Sequence, residues 1–301
     1  MSRPGGRSVI AYRRRPTPLH AARATLAAAY GAALASAALI VSHPLLLAAL
    51  GCAVLSAGAA AGVGGELVRA ARRTVIPMLA LTVLVNVLVS RGGLTVIARL
   101  GDWGVLGQVN VTLEAALYGL VLGLRLLVVS LACLLVVCTA NPDELLHAFR
   151  RISPRSALTA TLTTRLIPVL GADARRLAEA QRCRPDGGAR GASGRLAVLR
   201  ATVSGALERS LDVAAVLEMR GYGAAGRTRA ARPPRSRHDL SFAAAALGLV
   251  GLALLARLSP AGAFTPYPLI GMALSPATVA LAVLVPAIAL APFADRRGIE
   301  L

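Results

Sequence analysis

The sequence predicts an all-α, polytopic membrane protein of about six transmembrane helices, with two long amphipathic helices on the cytoplasmic side. Three observations carry that prediction. Of 301 residues, 56% are hydrophobic, and they are gathered into runs near the length a bilayer requires. The basic residues, every one an arginine, sit mostly between those runs. Between residues 141 and 239 the long apolar runs give way to a helical apolar period set among arginines and acids.

Along the chain, residues 1–23 are basic and proline-dotted, the composition of an irregular arm on anionic lipid. A spanning helix needs about 20 mostly apolar residues, because hydrocarbon offers the backbone no water. The runs 24–41, 45–63, 75–90, 113–139, 242–258 and 277–293 qualify, several near the short limit. The first continues past the cleavage-like Ala35-Ser36-Ala37, so it is expected to be retained rather than removed as a signal peptide. Gly58-x-x-x-Gly62 and Gly119-x-x-x-Gly123 fit close helix packing. Residues 91–112, which hold Gly92, Gly93, Gly101 and Gly104, are expected to form a loop.

Arginine placement sets the orientation. The arm carries Arg3, Arg7, Arg13, Arg14, Arg15 and Arg23, the link after the second span carries Arg69, Arg72 and Arg73, and the tail carries Arg296 and Arg297. The long link is richer still, whereas the opposite loops at 42–44, 91–112 and 259–276 hold only Arg91 and Arg99. Both termini and the long link are therefore expected in the cytoplasm. The expected divisions are a basic arm at 1–23, a four-span block at 24–139, a cytoplasmic region at 140–239, and a final pair of spans with a short tail at 240–301.

A formal charge of +19 would suggest nucleic acid in a soluble protein. Here aromatics are 3%, too few for base stacking, and the charge lies between apolar runs. No nucleic-acid partner is expected; the lipid bilayer is. Cys52, Cys133, Cys138 and Cys183 form no C-x-x-C pair, and the histidines are scattered singly. No metal site and no cofactor are expected. The chain has no G-x-x-x-x-G-K-[ST] phosphate loop, so if ATP drives it, another subunit binds the nucleotide.

The long link contains clear helix starts. Asn141-Pro142-Asp143-Glu144 supplies an N-cap, a proline at the first helical position and acids in the first turn. Ser153-Pro154 repeats the signal for a helix that Pro168 should kink and Pro185 should stop after Arg184. After a glycine-rich turn, Ser193 or Gly194 could cap a second helix. Its stripe includes Leu196, Leu199, Val203, Leu207 and Leu211. Arg220 ends it, and Gly221 suits the left-handed position beyond. Each long helix thus stops at an arginine. A cation there gains about 0.3–1 kcal/mol from the helix dipole. Two such ends on adjacent amphipathic helices also suit a pair of forked cations docking on acidic partners.

These residues carry a family resemblance. Ser42-His43-Pro44-Leu45-Leu46, Thr112 to Gly119 with Leu124-Arg125-Leu126, Thr139 to Leu146 in the pattern T-x-x-P-x-x-L, and Arg165-Leu166-Ile167-Pro168 occur in the right order. So do Glu179-Ala180-Gln181-Arg182-Cys183-Arg184 and Glu218-Met219-Arg220-Gly221-Tyr222-Gly223 with Arg227-Thr228. Over nearly its whole length the chain resembles the transmembrane T component of energy-coupling factor (ECF) transporters, the family that includes the cobalt-transport permease subunit. It departs at Cys183 and Met219, where alanine is usual, and at Pro185, where glycine or serine is usual.

The resemblance implies a non-catalytic coupling subunit of an ECF-type ABC importer for a vitamin or a transition-metal ion. It would join two ABC-type ATPase subunits to a small membrane substrate-binding (S) subunit. Arg184 and Arg220, with Arg182 and Gly221, would dock on the ATPases. The stripe Leu196, Leu199, Val203, Leu207 and Leu211 would grip the substrate subunit. Arg125, near the middle of the fourth span, costs about 2.5–3.5 kcal/mol on insertion scales and is expected to bond inside the bundle. Asn86 is expected to bond between helices. An ordinary ABC importer permease and a membrane-embedded enzyme are the alternatives. The first would show one coupling helix per subunit, and the second would need convergent acids, histidines or a nucleophile.

Overall fold

The computed structural model describes residues 12, 14–89, 96–102, 108–149, 153–184, 191–222, 224, 236–262, 264–265, 271–272 and 275–295. Most of the basic arm, Arg91, Gly92, Gly93, Gly104 and the tail arginines Arg296 and Arg297 lie outside the described residues. The chain is an all-α membrane protein. It divides into two units, Met1–Leu145 with Arg235–Leu301, and Leu146–Pro234.

The first unit holds the apolar helices. A short α1 (Pro18–Ala21) leads to α2 (Ala24–Ile40) and α3 (Pro44–Ala60). Next come α4 (Gly64–Ala70) and α5 (Ile76–Val89), joined through a π-helical turn at Ala71–Val75 into one continuous rod. Then follow α6 (Leu113–Thr139) and, after the second unit, α10 (Arg237–Leu258) and α11 (Pro276–Leu290); the short α7 (Pro142–Phe149) runs across the boundary at Leu145. Four rods are long and apolar enough to cross a bilayer: Gly64–Val89, Leu113–Thr139, Arg237–Leu258 and Pro276–Phe293. Helices α2 and α3, with 17 residues each, are shorter. Each rises roughly 26 Å, slightly less than a hydrocarbon core of about 30 Å.

The third span is longer than hydropathy suggests, because Arg69, Arg72 and Arg73 continue the helix instead of interrupting it. The loops also differ from expectation. β1 (Val96–Asp102) and β2 (Gln108–Thr112) pair antiparallel, as do β3 (Phe264–Thr265) and β4 (Gly271–Met272). Val96, Ile97, Val109 and Val111 are β-branched, which favours strand over irregular loop.

Helix α6 packs against α2, α3 and α5, while α10 joins α2 to α11. The contacts rely on small residues. A Cβ added at Gly119 would stand 3.0 Å from Val83 Cα, and one at Gly123 would stand 2.9 Å from Leu79 Cγ, so both glycines let α5 approach. Gly62 works otherwise. It sits at φ 75° and ends α3, with its N–H on Ala59 O (2.9 Å) and the Val63 N–H on Gly58 O (2.8 Å). The core closes on Tyr30, Phe242 and Phe293, stacked edge to face, and the Tyr30 hydroxyl donates to Ala289 O at 2.8 Å.

The N-terminus of α2 is held by acids from far along the chain. Asp239 accepts the Arg23 N–H (2.9 Å), pairs with Arg23 Nε (3.1 Å) and completes a capping box with Ser236 at the start of α10. Glu144 accepts the Ala24 N–H at 3.2 Å. Both carboxylates thereby oppose the positive end of the α2 dipole.

Candidate functional site

The second unit is built on α8 (Pro154–Arg182) and α9 (Ala192–Met219). Helix α8 opens with Pro154 behind Ser153, whose hydroxyl bonds that of Ser156 at 2.8 Å. Pro168 is accommodated within the helix. Helix α9 starts two residues earlier than Ser193 would suggest. Gly191 is its N-cap at φ 74°, a conformation open to glycine at no steric cost, and Gly194 is buried in the first turn.

The less exposed positions of α9 recur as Gly194, Val198, Thr202, Gly205 with Ala206, Arg209, Val213 and Leu217, about one helical turn apart. The Arg209 guanidinium bonds Asp173 of α8 at 3.0 Å, which turns this side of α9 toward α8. Leu196, Leu199, Val203, Leu207 and Leu211 point elsewhere and are 50–72% exposed. Together they form an exposed apolar stripe along one helix.

The two helix ends differ in construction. Arg182 is the last residue of α8. Cys183 is the C-cap, its N–H on Glu179 O at 3.1 Å, and Arg184 lies one residue past it. Helix α8 therefore ends two residues earlier than the close at Arg184 that the sequence suggested, because the residue before a proline is pushed out of helical φ/ψ. In α9, Arg220 is itself the C-cap. Gly221 at φ 69° sends its N–H to Glu218 O (2.8 Å), and the Tyr222 N–H reaches Leu217 O (2.9 Å), a Schellman turn. Arg182, Arg184 and Arg220 are exposed. Among the described residues no hydrogen bond or ion pair engages the guanidinium of Arg184 or Arg220. Along the chain, the 28 residues of α9 lie between them. Pro185, Gly223, Arg227 and Thr228 lie outside the described residues.

The intramembrane polar residues belong to the first unit. Arg125 Nη2 donates to Val41 O at 2.9 Å and to Ser42 Oγ at 3.4 Å. Val41 is the C-cap of α2, so a cation on α6 satisfies the negative end of a neighbouring helix. Asn86 donates Nδ2 to Thr82 O in its own helix at 2.8 Å, and its Cβ lies beside Gly119 of α6. Its hydrogen bond is therefore within α5, while its packing is between helices.

Two pairings escaped the sequence reading. Arg15 bonds Glu66 at 2.9 Å, and Asp239 anchors Arg23. A capping-box pattern at Ser236-Arg237-His238-Asp239 was visible in the sequence, but the second partner of Asp239 was not. Beside α3, the fully buried His43 accepts the Leu45 N–H on Nδ1 at 3.3 Å, and burial holds its imidazole below the ordinary value of 6.5. Tyr12 is raised, mainly by burial and then by the Glu144 charge, with Arg14 opposing. No group of three histidine, cysteine or acidic side chains among the described residues could hold a metal ion.

A family model described as cobalt transport protein (CbiQ) matches residues 16–230. The chain belongs to that family, the T components of ECF transporters. No curated protein matches the chain. Membership makes it a membrane component of cobalt- or ECF-type transport, in a family that generally works with ATPase partners. The match runs from α1 through α9, taking in both long helices of the second unit, and stops before α10.

Proposed function

We propose that this chain couples ATP hydrolysis by two ABC-type ATPase subunits to a small membrane substrate-binding subunit that takes up a vitamin or a transition-metal ion. The observation that carries the reading is the pair of exposed cations Arg184 and Arg220 at the ends of two long helices, neither with a hydrogen-bond or ion-pair partner among the described residues. Two cations at the ends of two different helices suit two separate protein partners better than one pocket. A guanidinium stays charged and forks onto a carboxylate, so each can seat in an acidic groove. Arg182 adds charge at the first end, and Gly221 fixes the turn that presents Arg220. The exposed stripe Leu196, Leu199, Val203, Leu207 and Leu211 is the surface for the substrate subunit.

In this reading the chain lies in the bacterial cytoplasmic membrane with both termini inside, and it carries no catalytic step. Residues 1–23 form a basic arm, 24–139 and 240–301 the membrane blocks, and 140–239 the coupling region. When the ATPases close on ATP, both anchored helix ends move, and α8 and α9, tied by Asp173–Arg209, carry the displacement to the substrate subunit.

The test is co-purification of the detergent-solubilised chain with the proteins encoded beside it, wild type against Arg184→Glu/Arg220→Glu. Truncating one partner of a buried charge pair costs about 2–5 kcal/mol, so ATPase subunits should accompany the wild type and be lost from the double variant. ATPases retained equally by both forms would remove the docking role from these arginines.

A further inference from the structure

The rod Gly64–Val89 changes character along its length. Residues 74–89 carry no charge, and none of the α5 side chains is buried. Ile76, Met78, Leu81, Leu84, Val85 and Val89 are 47–61% exposed. In a membrane-spanning chain, hydrocarbon is the solvent for that surface. The uncharged stretch rises roughly 24 Å, most of a hydrocarbon core of about 30 Å. The turn just before it therefore lies at the level of lipid headgroups.

That turn holds Arg69, Arg72 and Arg73. Their i, i+3, i+4 spacing puts them on one side of the helix. All three are exposed, and among the described residues none has a hydrogen-bond or ion-pair partner. The nearest acid along the helix, Glu66, is taken by Arg15 at 2.9 Å. The π-helical turn Ala71–Val75 falls here, a departure from regular helix that often accompanies function. With Gly65 and Val68 the three arginines line an open groove of about 490 Å³. A Cβ added at Gly65 would meet nothing within 4 Å. The groove is therefore cationic with exposed Val68 in its lining, and exposed Ile76 begins the apolar face one helical turn past Arg72.

We propose that Arg69, Arg72 and Arg73 form a binding site for the phosphate headgroup of an anionic phospholipid, with Val68 and Ile76 against the start of its acyl chains. Guanidinium forks match phosphate oxygens, and among the described residues no acid engages Arg69, Arg72 or Arg73. A soluble phosphate would use the charges but not the apolar wall, which is why the lipid is the better occupant.

The test uses the full chain, delipidated in mild detergent and titrated by native mass spectrometry with phosphatidylglycerol, with phosphatidylcholine, and with inorganic phosphate as competitor. Wild type is compared with Arg69→Gln/Arg72→Gln/Arg73→Gln, with the single variant Arg72→Gln, and with Arg175→Gln/Arg195→Gln/Arg200→Gln, which removes equal charge from exposed positions of α8 and α9. An arginine near an anionic surface contributes about five-fold in affinity, so Arg72→Gln should weaken phosphatidylglycerol about five-fold and the triple variant on the order of 10–100-fold. The control triple should bind as wild type does, phosphatidylcholine should bind weakly, and phosphate should not displace the lipid. Equal loss in the control would reduce the effect to bulk charge, and displacement by phosphate would make the groove a soluble-anion site. Undiminished lipid binding in the groove variants, with loss of a co-purifying protein, would assign the groove to an acidic protein surface. Each of these results overturns the proposal.

Discussion

Replacing Gly221 with alanine should loosen the end of α9 that presents Arg220. Gly221 stands at φ 69°, and its nearest neighbour for an added Cβ is Ala224 Cβ at 3.8 Å, an ordinary contact. Space is therefore not the obstacle. The cost is conformational, about 1–2 kcal/mol for an L-residue held left-handed. Two short hydrogen bonds, Gly221 N–H to Glu218 O and Tyr222 N–H to Leu217 O, depend on that conformation. A penalty of this size raises the open population of the last turn about 5–30-fold. Hydrogen–deuterium exchange of the purified chain should show faster exchange at residues 219–222, with the middle of α9 unchanged. Gly205→Ala is the matched control. Gly205 lies inside α9, and an added Cβ there meets nothing within 4 Å. Its helix propensity should rise by about 0.8–1 kcal/mol, and its exchange should slow. If Gly221→Ala exchanged no faster than wild type, or if both substitutions moved exchange in the same direction, the Schellman turn would not be what holds Arg220.

Two further outcomes follow from the membrane unit. Arg125→Leu removes the donor to Val41 O and leaves a helix-terminal carbonyl unpaired, so thermal unfolding in detergent should reveal a loss of about 1–3 kcal/mol, with Arg125→Lys intermediate. A leucine variant as stable as wild type would mean that the bond to α2 contributes nothing. The second concerns pH. The folded state holds His43 neutral, below its unfolded value of 6.5. The unfolded chain therefore takes up this proton first, and stability is fully present above about pH 6.5 and falls as pH drops toward the folded value. Melting temperatures of wild type and His43→Gln, measured from pH 7.5 to 5.5, should diverge, with wild type losing more on acidification; parallel curves would clear His43 of the effect.

Much of the architecture is visible in local sequence because the bilayer enforces it. A backbone in hydrocarbon must bond to itself, so the run at 113–139 reports a helix before any packing is known. The helix ends are equally local. Asn141 bonds the Asp143 N–H at 3.0 Å, and Gly221 is left-handed, as their residue types require. Long-range pairing is not local. Asp239 reads as a capping-box acid, and nothing near it in sequence announces Arg23. Gly62 and Gly119 occupy like motifs, yet one ends a helix and the other admits a neighbour. The pairing of 96–102 with 108–112 was hidden by flanking glycines that suggest a loop.

By itself the sequence determined the apolar rods, their approximate ends, the two amphipathic helices and the Arg220 cap of the second. These follow from backbone hydrogen bonding, capping and period, which act within a few residues. Only the tertiary structure decided which glycines are contacts, that Arg125 caps α2, that the leucine stripe of α9 is exposed while the Arg209 side faces α8, and that Arg69, Arg72 and Arg73 find no partner among the described residues. Those properties depend on which distant side chains arrive within a few ångströms, and that is set by packing, not by neighbours in the chain.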